Sequence, residues 1–198
     1  MLIIGLTGPT GAGKSTAARA FEALGLPVAD ADAASRAVTA QGSPCLAELA
    51  AAFSPAILAP DGNLDRAALA AEAFASPEGR ALLNNITHKY ILEFLRSRLA
   101  SFEAAGAAAA VVDAPLLFES GFDKECGVTI AVLASPEERL ARVTARDSLS
   151  LEAARARMRA QPNEEYYASR ADYIIRNDAS PEEVAAKVGE IYEEIMRK

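Results

Sequence analysis

Gly8-Pro9-Thr10-Gly11-Ala12-Gly13-Lys14-Ser15 satisfies G-x-x-x-x-G-K-[ST] at every fixed position, between the apolar run Leu2-Ile3-Ile4-Gly5-Leu6 and an alanine-rich stretch from Gly13 to about Leu24. A short apolar run, a glycine loop and a helical stretch predict a strand, a phosphate-binding turn and a helix in that order. Glycine lets backbone N–H groups turn inward around phosphate oxygens, and the helix N-terminus adds its partial positive charge. In such a loop the backbone of Gly11, Ala12 and Gly13 lines the phosphates of ATP. Lys14 bridges the β- and γ-phosphates, Ser15 ligates Mg²⁺, and Thr16 reaches the α-phosphate. A glycine-rich turn that binds nothing does not account for the complete motif in this setting.

Further apolar runs at Pro27 to Ala29, Ala109 to Val112, Val128 to Leu133 and Tyr173 to Ile175 lack the alternation of a half-solvated strand. They predict buried parallel strands. Ser76-Pro77, Ser135-Pro136 and Ser180-Pro181 each place an N-cap serine before a first-turn proline, and Glu138 and Glu183 complete capping boxes in the last two. Strands alternating with helices predict an α/β fold, a three-layer P-loop type with a parallel sheet and a ligand crevice beyond the strand ends. The interval from Val28 to Val111, about eighty residues, exceeds what a crossover needs. The expected organisation is one kinase domain over 1–198. Its nucleotide-binding core covers 1–32 and 105–198, with a helical substrate-binding insertion over about 33–104 and an arginine-rich lid over about 139–160.

With 51% apolar and 24% charged residues, the 198-residue chain can bury a sizeable core, and its formal net charge of -7 disfavours nucleic acid and anionic membranes as partners. No apolar run approaches the roughly 20 residues of a membrane span, and the first strand runs straight into the glycine loop, so a cytoplasmic location is expected. Cys45 and Cys126 are isolated from each other and from any metal-ligand pattern, which predicts two reduced thiols. Oligomeric state is left open, a monomer being compatible with everything above. No N-K-x-D guanine motif is present, which turns the reading from a GTPase toward a small kinase.

A kinase needs an acceptor hydroxyl held in line, and Asp30 and Asp32 follow the second strand toward the crevice. Asp32 serves either as the base that takes the acceptor proton or as the N-cap of a helix beginning at Ala33, and spacing alone fits both. Asp113 closes another strand, where it orients hydrated magnesium, meets the acceptor, or simply ends the strand. Between residues 139 and 159, six arginines face only Asp147 and Glu152, a local balance of +4. Arg139, Arg142 and Arg146 share one helix face and are expected to clamp a transferring phosphoryl group, whereas Arg155, Arg157 and Arg159 read as a solvated face.

Laid out this way, the chain resembles the dephospho-CoA kinases from Ile4 to about Asp178. The resemblance is carried by Leu6-Thr7-Gly8 through Lys14-Ser15-Thr16, Leu24-Gly25, Asp30-Ala31-Asp32, Asp61-Gly62-Asn63-Leu64-Asp65-Arg66, the Asn84 to His88 segment, and above all Asp113-Ala114-Pro115-Leu116-Leu117-Phe118-Glu119. Arg139, Arg142, Arg146-Asp147 and Gln161 resemble the family's lid, and Ala171 to Asn177 its last strand. The resemblance implies transfer of the γ-phosphate of ATP to the ribose 3′-hydroxyl of dephospho-CoA, the last step of coenzyme A synthesis. It further implies Asp32, Lys14 and Arg142 as catalytic, Arg146 and Asn177 as nucleotide contacts, and Asp32, His88, Asp113, Pro115 and Leu116 as acceptor contacts. It departs from the usual pattern at Ser54, Lys89 and Arg176-Asn177-Asp178. A nucleoside monophosphate kinase is the enzymatic alternative, and an ATP-sensing module without transfer the non-enzymatic one. The Pro115 to Glu119 stretch opposes the first and the acceptor-side aspartates the second.

Overall fold

Leu2-Ile3-Ile4-Gly5-Leu6 lacks alternation because the strand it forms, β1 (Leu2–Thr7), is covered on both faces. In the computed structural model, which describes residues 1–178 and 180–197, the chain continues through α1 (Lys14–Ala23), β2 (Val28–Asp30), α2 (Ala31–Val38), α3 (Pro44–Ala52), α4 (Arg66–Ala73) and α5 (Pro77–Ala104). It then runs through β3 (Ala109–Asp113), β4 (Val128–Leu133), α6 (Pro136–Asp147), α7 (Leu151–Arg159), α8 (Glu164–Ala168), β5 (Tyr173–Arg176) and α9 (Pro181–Arg197). Two compact units result: Met1–Ala29 with the chain from Ser101 onward, and Asp30–Ala100.

The first unit is built on a five-stranded sheet of order β2-β3-β1-β4-β5. β1 pairs in parallel with β3, Leu6 opposite Asp113, and with β4, Leu6 opposite Ile130; β4 pairs in parallel with β5. One face packs Ile4, Leu6, Val111, Ile130, Val132 and Ile175 against Phe21 of α1 and Val184, Val188 and Ile191 of α9. The i, i+4, i+7 spacing of those α9 residues gives the helix its single apolar face. Truncating Phe21, fully buried here, to alanine costs about 3–5 kcal/mol. On the other face, Gly5 leaves room for Leu117 and Cys126, whose side-chain atoms lie 2.7 and 2.8 Å from where a Cβ would stand. Cys126 donates weakly to the Phe122 carbonyl, and burial, with Asp123 and Glu125 nearby, pushes its thiol up to about 12.

The second unit packs Cys45 and Leu49 of α3, Ile57, Leu69 and Ala73 of α4, and Ile86 of α5 into a core of its own. Ser43, Asp65 and Ser76 cap α3, α4 and α5 through their side chains. The Pro60-Asp61-Gly62-Asn63 break is a tight turn. Asp61 accepts from the Asn63 N–H at 3.0 Å, and Leu58 bridges Leu64.

Two capping expectations change in detail. α2 begins at Ala31 rather than Ala33, because Asp30 is its N-cap and accepts from the Asp32 N–H at 2.7 Å. Ser135 accepts from the Glu138 N–H, forming half of a capping box, but its own N–H donates to Asp178 at 2.6 Å while the Glu138 carboxylate pairs with Arg142 at 3.2 Å. Because β4 and β5 are neighbours, the carboxylate that follows β5 reaches the cap that follows β4, and the local partner is displaced.

Candidate active site

The phosphate loop grows out of the C-terminal end of β1, the central strand, and ends where Gly13 caps α1 with φ 90°. No residue with a Cβ fits there, since it would stand on the Asn177 amide. Within the loop, Ala12 donates its N–H to the Pro9 carbonyl at 3.1 Å across Gly11, whose φ is 77°, so residues 9–12 form a type II turn.

Three side chains from distant parts of the chain fasten this loop. Asn177, just past β5, is 5% exposed and donates its amide to the Ala12 carbonyl at 2.8 Å. Arg139 of α6 donates Nε to the Thr10 carbonyl at 2.9 Å, and Gln161, just beyond α7, accepts the Thr10 N–H at 2.8 Å. The Asn177 amide thus acts on the loop's main chain. Arg139 was expected in the phosphoryl clamp with Arg142 and Arg146, but its guanidinium is committed to the loop and it is 8% exposed. Burial pulls its pKa down, while Tyr167 and Glu164 oppose the shift.

Lys14, the first residue of α1, forms an ion pair with Asp113 at the end of β3, Nζ to Oδ1 2.8 Å, with both side chains largely shielded. That contact follows from the sheet order, since β3 lies beside β1 and both open toward the loop. Ser15 is exposed at the second helical position and Thr16 is part-buried. The Thr7 hydroxyl donates to the Pro115 carbonyl at 3.3 Å, holding the segment after β3 against β1, with Leu116 exposed.

Arg142, one turn beyond Arg139, donates Nη2 to the Asn177 carbonyl at 2.9 Å. Its buried Nη1 has no hydrogen-bond partner among the described residues and lies 3.6 Å from where a Gly13 Cβ would stand. A desolvated guanidinium donor is therefore held beside the N-terminus of α1. Arg146 points elsewhere, with Nε and Nη2 on the two carboxylate oxygens of Asp147 at 2.7 and 2.9 Å. Arg155, Arg157 and Arg159 are all exposed; Arg155 and Arg159 line a cavity of about 290 Å³ between α7 and α6. Among the described residues no cluster of three or more His, Cys, Asp or Glu side chains is arranged as a metal cage.

In the second unit, Asp32 is exposed in the first turn of α2, and the capping that spacing allowed it is performed by Asp30, which also faces Arg36 at 3.8 Å. The Asp32 carboxylate has no hydrogen-bond partner among the described residues. His88 is half-buried on α5, and burial holds its pKa below the ordinary 6.5.

The family model described as dephospho-CoA kinase matches residues 2–183. The chain belongs to the dephospho-CoA kinase family. A dephospho-CoA kinase of Corynebacterium efficiens is 42% identical over 198 residues, 100% of this chain and 99% of the relative. Among solved structures, TT1252 from Thermus thermophilus aligns with TM-score 0.83 at 36% identity, covering 98% of this chain and 97% of that one. Dephospho-CoA kinase from Campylobacter jejuni aligns with TM-score 0.72 at 29% identity, covering 98% and 96%. The departures from the usual dephospho-CoA kinase pattern have local structural accounts. Lys89 pairs with Glu48, at 2.7 and 2.6 Å, and lies over the Tyr90 ring. Ser54 caps the short 3-10 turn Pro55–Ile57 at 2.9 Å. Arg176 pairs with Glu164, and Asp178 takes the Ser135 N–H.

What sequence reasoning missed is the bracing of the loop by Arg139, Gln161 and Asn177. Gln161 was visible only as part of a lid-like pattern. No local signal marks Arg139 as buried, because its periodicity is shared with Arg142 and Arg146.

Proposed function

We propose that Lys14, Ser15, Arg142 and Asp32 carry the family's reaction, transfer of the γ-phosphate of ATP to the ribose 3′-hydroxyl of dephospho-CoA. The loop amides and the α1 N-terminus bind the phosphates, and Lys14 turns from Asp113 to the β- and γ-phosphates. The 3′-oxygen attacks the γ-phosphorus as its proton passes to the Asp32 carboxylate. The bond from the γ-phosphorus to the β,γ-bridging oxygen breaks, ADP leaves, and CoA, the 3′-phosphorylated form of the acceptor, remains. Arg142 Nη1 meets charge that develops on the transferring group.

Mg²⁺ fits the donor set at the loop: the exposed Ser15 hydroxyl and the Asp113 carboxylate are hard oxygen donors, and such an ion takes few protein ligands beside the substrate phosphates. When bound it neutralises negative charge on the β- and γ-phosphates. The second unit is the acceptor-binding insertion, with His88 on α5 an acceptor contact, and Pro115 and Leu116 of the first unit are acceptor contacts as well. The α6–α7 hairpin is the lid. The enzyme works in the cytoplasm, where both substrates are at hand; among the described residues no helix is long and apolar enough to cross a membrane.

The observation that carries the choice of base is that Asp30 caps α2 and leaves the Asp32 carboxylate uncommitted. Asp32→Asn keeps the shape and removes the proton acceptor. It is expected to retain ATP binding and lose transfer by about 10²–10⁴-fold, with Asp30→Asn close to wild type because asparagine also caps. Labelled ATP with dephospho-CoA reads the rate, and thermal unfolding reads the fold. A destabilised Asp32→Asn protein with a normal rate per folded molecule would make Asp32 structural and pass the role to Asp113.

A further inference from the structure

We infer that Arg139 and Gln161 are positioning residues that hold the Thr10–Gly11 peptide in the orientation that presents the Gly11 N–H to the nucleotide phosphates. The inference rests on the reading of residues 8–15 as the phosphate site.

Among the described residues, Thr10 is the only loop residue whose N–H and carbonyl are both bonded to side chains: Gln161 Oε1 holds the N–H at 2.8 Å and Arg139 Nε the carbonyl at 2.9 Å. Each bond fixes one peptide plane. Gln161 sets the Pro9–Thr10 plane, and Arg139 the Thr10–Gly11 plane, which is the central peptide of the type II turn. Type I and type II turns differ by rotating that central peptide through roughly half a turn, so this plane has a competing arrangement nearby. In a trans peptide the carbonyl and N–H lie on opposite edges. With the Thr10 oxygen drawn toward α6, the Gly11 N–H is directed away from α6. α6 packs on the outer side of the turn, since the Arg139 carbonyl is 2.6 Å from where a Gly11 Cβ would stand. The reversed peptide would aim a carbonyl oxygen at the phosphates and remove one amide from the cradle.

The two holding residues stand at opposite ends of one hairpin, Arg139 in the first turns of α6 and Gln161 immediately after α7. The root of the lid therefore grips the phosphate loop at a single residue. Arg139 is 8% exposed and its Nη2 has no hydrogen-bond partner among the described residues, a cost accepted for a guanidinium held in place by its Nε bond.

The test compares Arg139→Met, Gln161→Met, their combination and Arg139→Gln, with calorimetric ADP binding in Mg²⁺ and steady-state kinetics for both substrates. Each methionine variant is expected to weaken ADP and raise the KM for ATP about tenfold, while the KM for dephospho-CoA changes less than about twofold. The double variant should lose less than the product of the two, because a peptide already free to flip is released only once. Arg139→Gln, which keeps a donor for the Thr10 carbonyl but no charge, should recover most of the affinity. An Arg139→Gln protein as weak as Arg139→Met would show that the charge acts on phosphate directly and overturn the inference. A KM for dephospho-CoA rising in step with that for ATP would overturn it as well. Should Arg139→Met fail to fold, Gln161→Met decides alone, since its side chain is only part-buried: unchanged ADP affinity overturns the proposal. A wild-type protein that binds no ADP would instead defeat the phosphate-site reading.

Discussion

At the root of the α6–α7 hairpin, Arg139 and Arg142 donate to main-chain carbonyls of Thr10 and Asn177, whereas Arg146 and, reaching from the last turn of α7, Arg157 converge on the Asp147 carboxylate at its tip. All four are arginines of one basic segment, and Arg139, Arg142 and Arg146 lie along one face of α6. Their surroundings separate them. The Arg142 side chain is 32% exposed and the Arg146 side chain 62%. A root arginine bonded to a carbonyl cannot leave without exposing an unsatisfied loop. A tip arginine in a solvated ion pair exchanges one carboxylate for water or phosphate at little cost. Root arginines are thus preorganised and tip arginines available, and charge counting along the sequence cannot tell them apart.

Within the hairpin, Arg142→Ala should produce the largest effect. If the Nη1 donor beside Gly13 meets charge that appears only in the transition state, kcat falls by about 10²–10³ with a smaller change in the KM for ATP. A loss confined to KM would place Arg142 with the tip residues as a ground-state contact.

Arg146→Ala should cost less, about threefold to tenfold in kcat/KM for ATP, because Arg146 must first leave Asp147 and brings a solvated charge to the phosphates. Measured across a salt series, the deficit should shrink as ionic strength rises, whereas the Arg142→Ala deficit should persist. Equal salt dependence of the two would erase the distinction between root and tip.

The difference also explains how far the sequence could be read. The motif at residues 8–15, the strand at Leu2–Thr7 and the helix starts at Ser76, Ser135 and Ser180 rest on local rules: turn chemistry, apolar runs and N-caps within a few residues. The bonds that organise the loop are not local. Arg139 to Thr10 spans 129 positions, and Asn177 to Ala12 spans 165. They exist because β4 and β5 lie on one side of β1 and bring the residues that follow them against the loop, and neither spacing nor composition encodes that order. The same non-local effect took Ser135 from its capping box, where Asp178 supplied a partner that the local Glu138 could not outcompete. The helix start expected at Ala33 shifted for the opposite reason. Asp30 and Asp32, two positions apart, both satisfy the cap rule, and the cap falls to Asp30, whose φ, ψ are −91° and 117° and whose side chain accepts from the Asp32 N–H.

The smallest effect expected is that of Asp147→Asn, which probes the tip directly. Asp147 accepts from Arg146 and Arg157, and these contacts hold its pKa below the ordinary carboxylate value, the hydrogen bond from Arg146 being the first cause. A carboxylate whose folded pKa is depressed contributes stability that is present above its unfolded value, 3.8, and lost as pH falls through the folded value. The asparagine variant should therefore melt slightly below wild type at neutral pH and converge with it in acid, as read by thermal unfolding between pH 2 and 7. Its kinetics should move the other way. With the carboxylate charge gone, Arg146 and Arg157 are no longer held at the surface, so the KM for ATP falls by about twofold at low salt and returns to the wild-type value at high salt. A fall in kcat as deep as that of Arg142→Ala would mean that Asp147 positions a catalytic arginine. In that case the tip would be as preorganised as the root, and exposure would have been the wrong guide to which arginines can move.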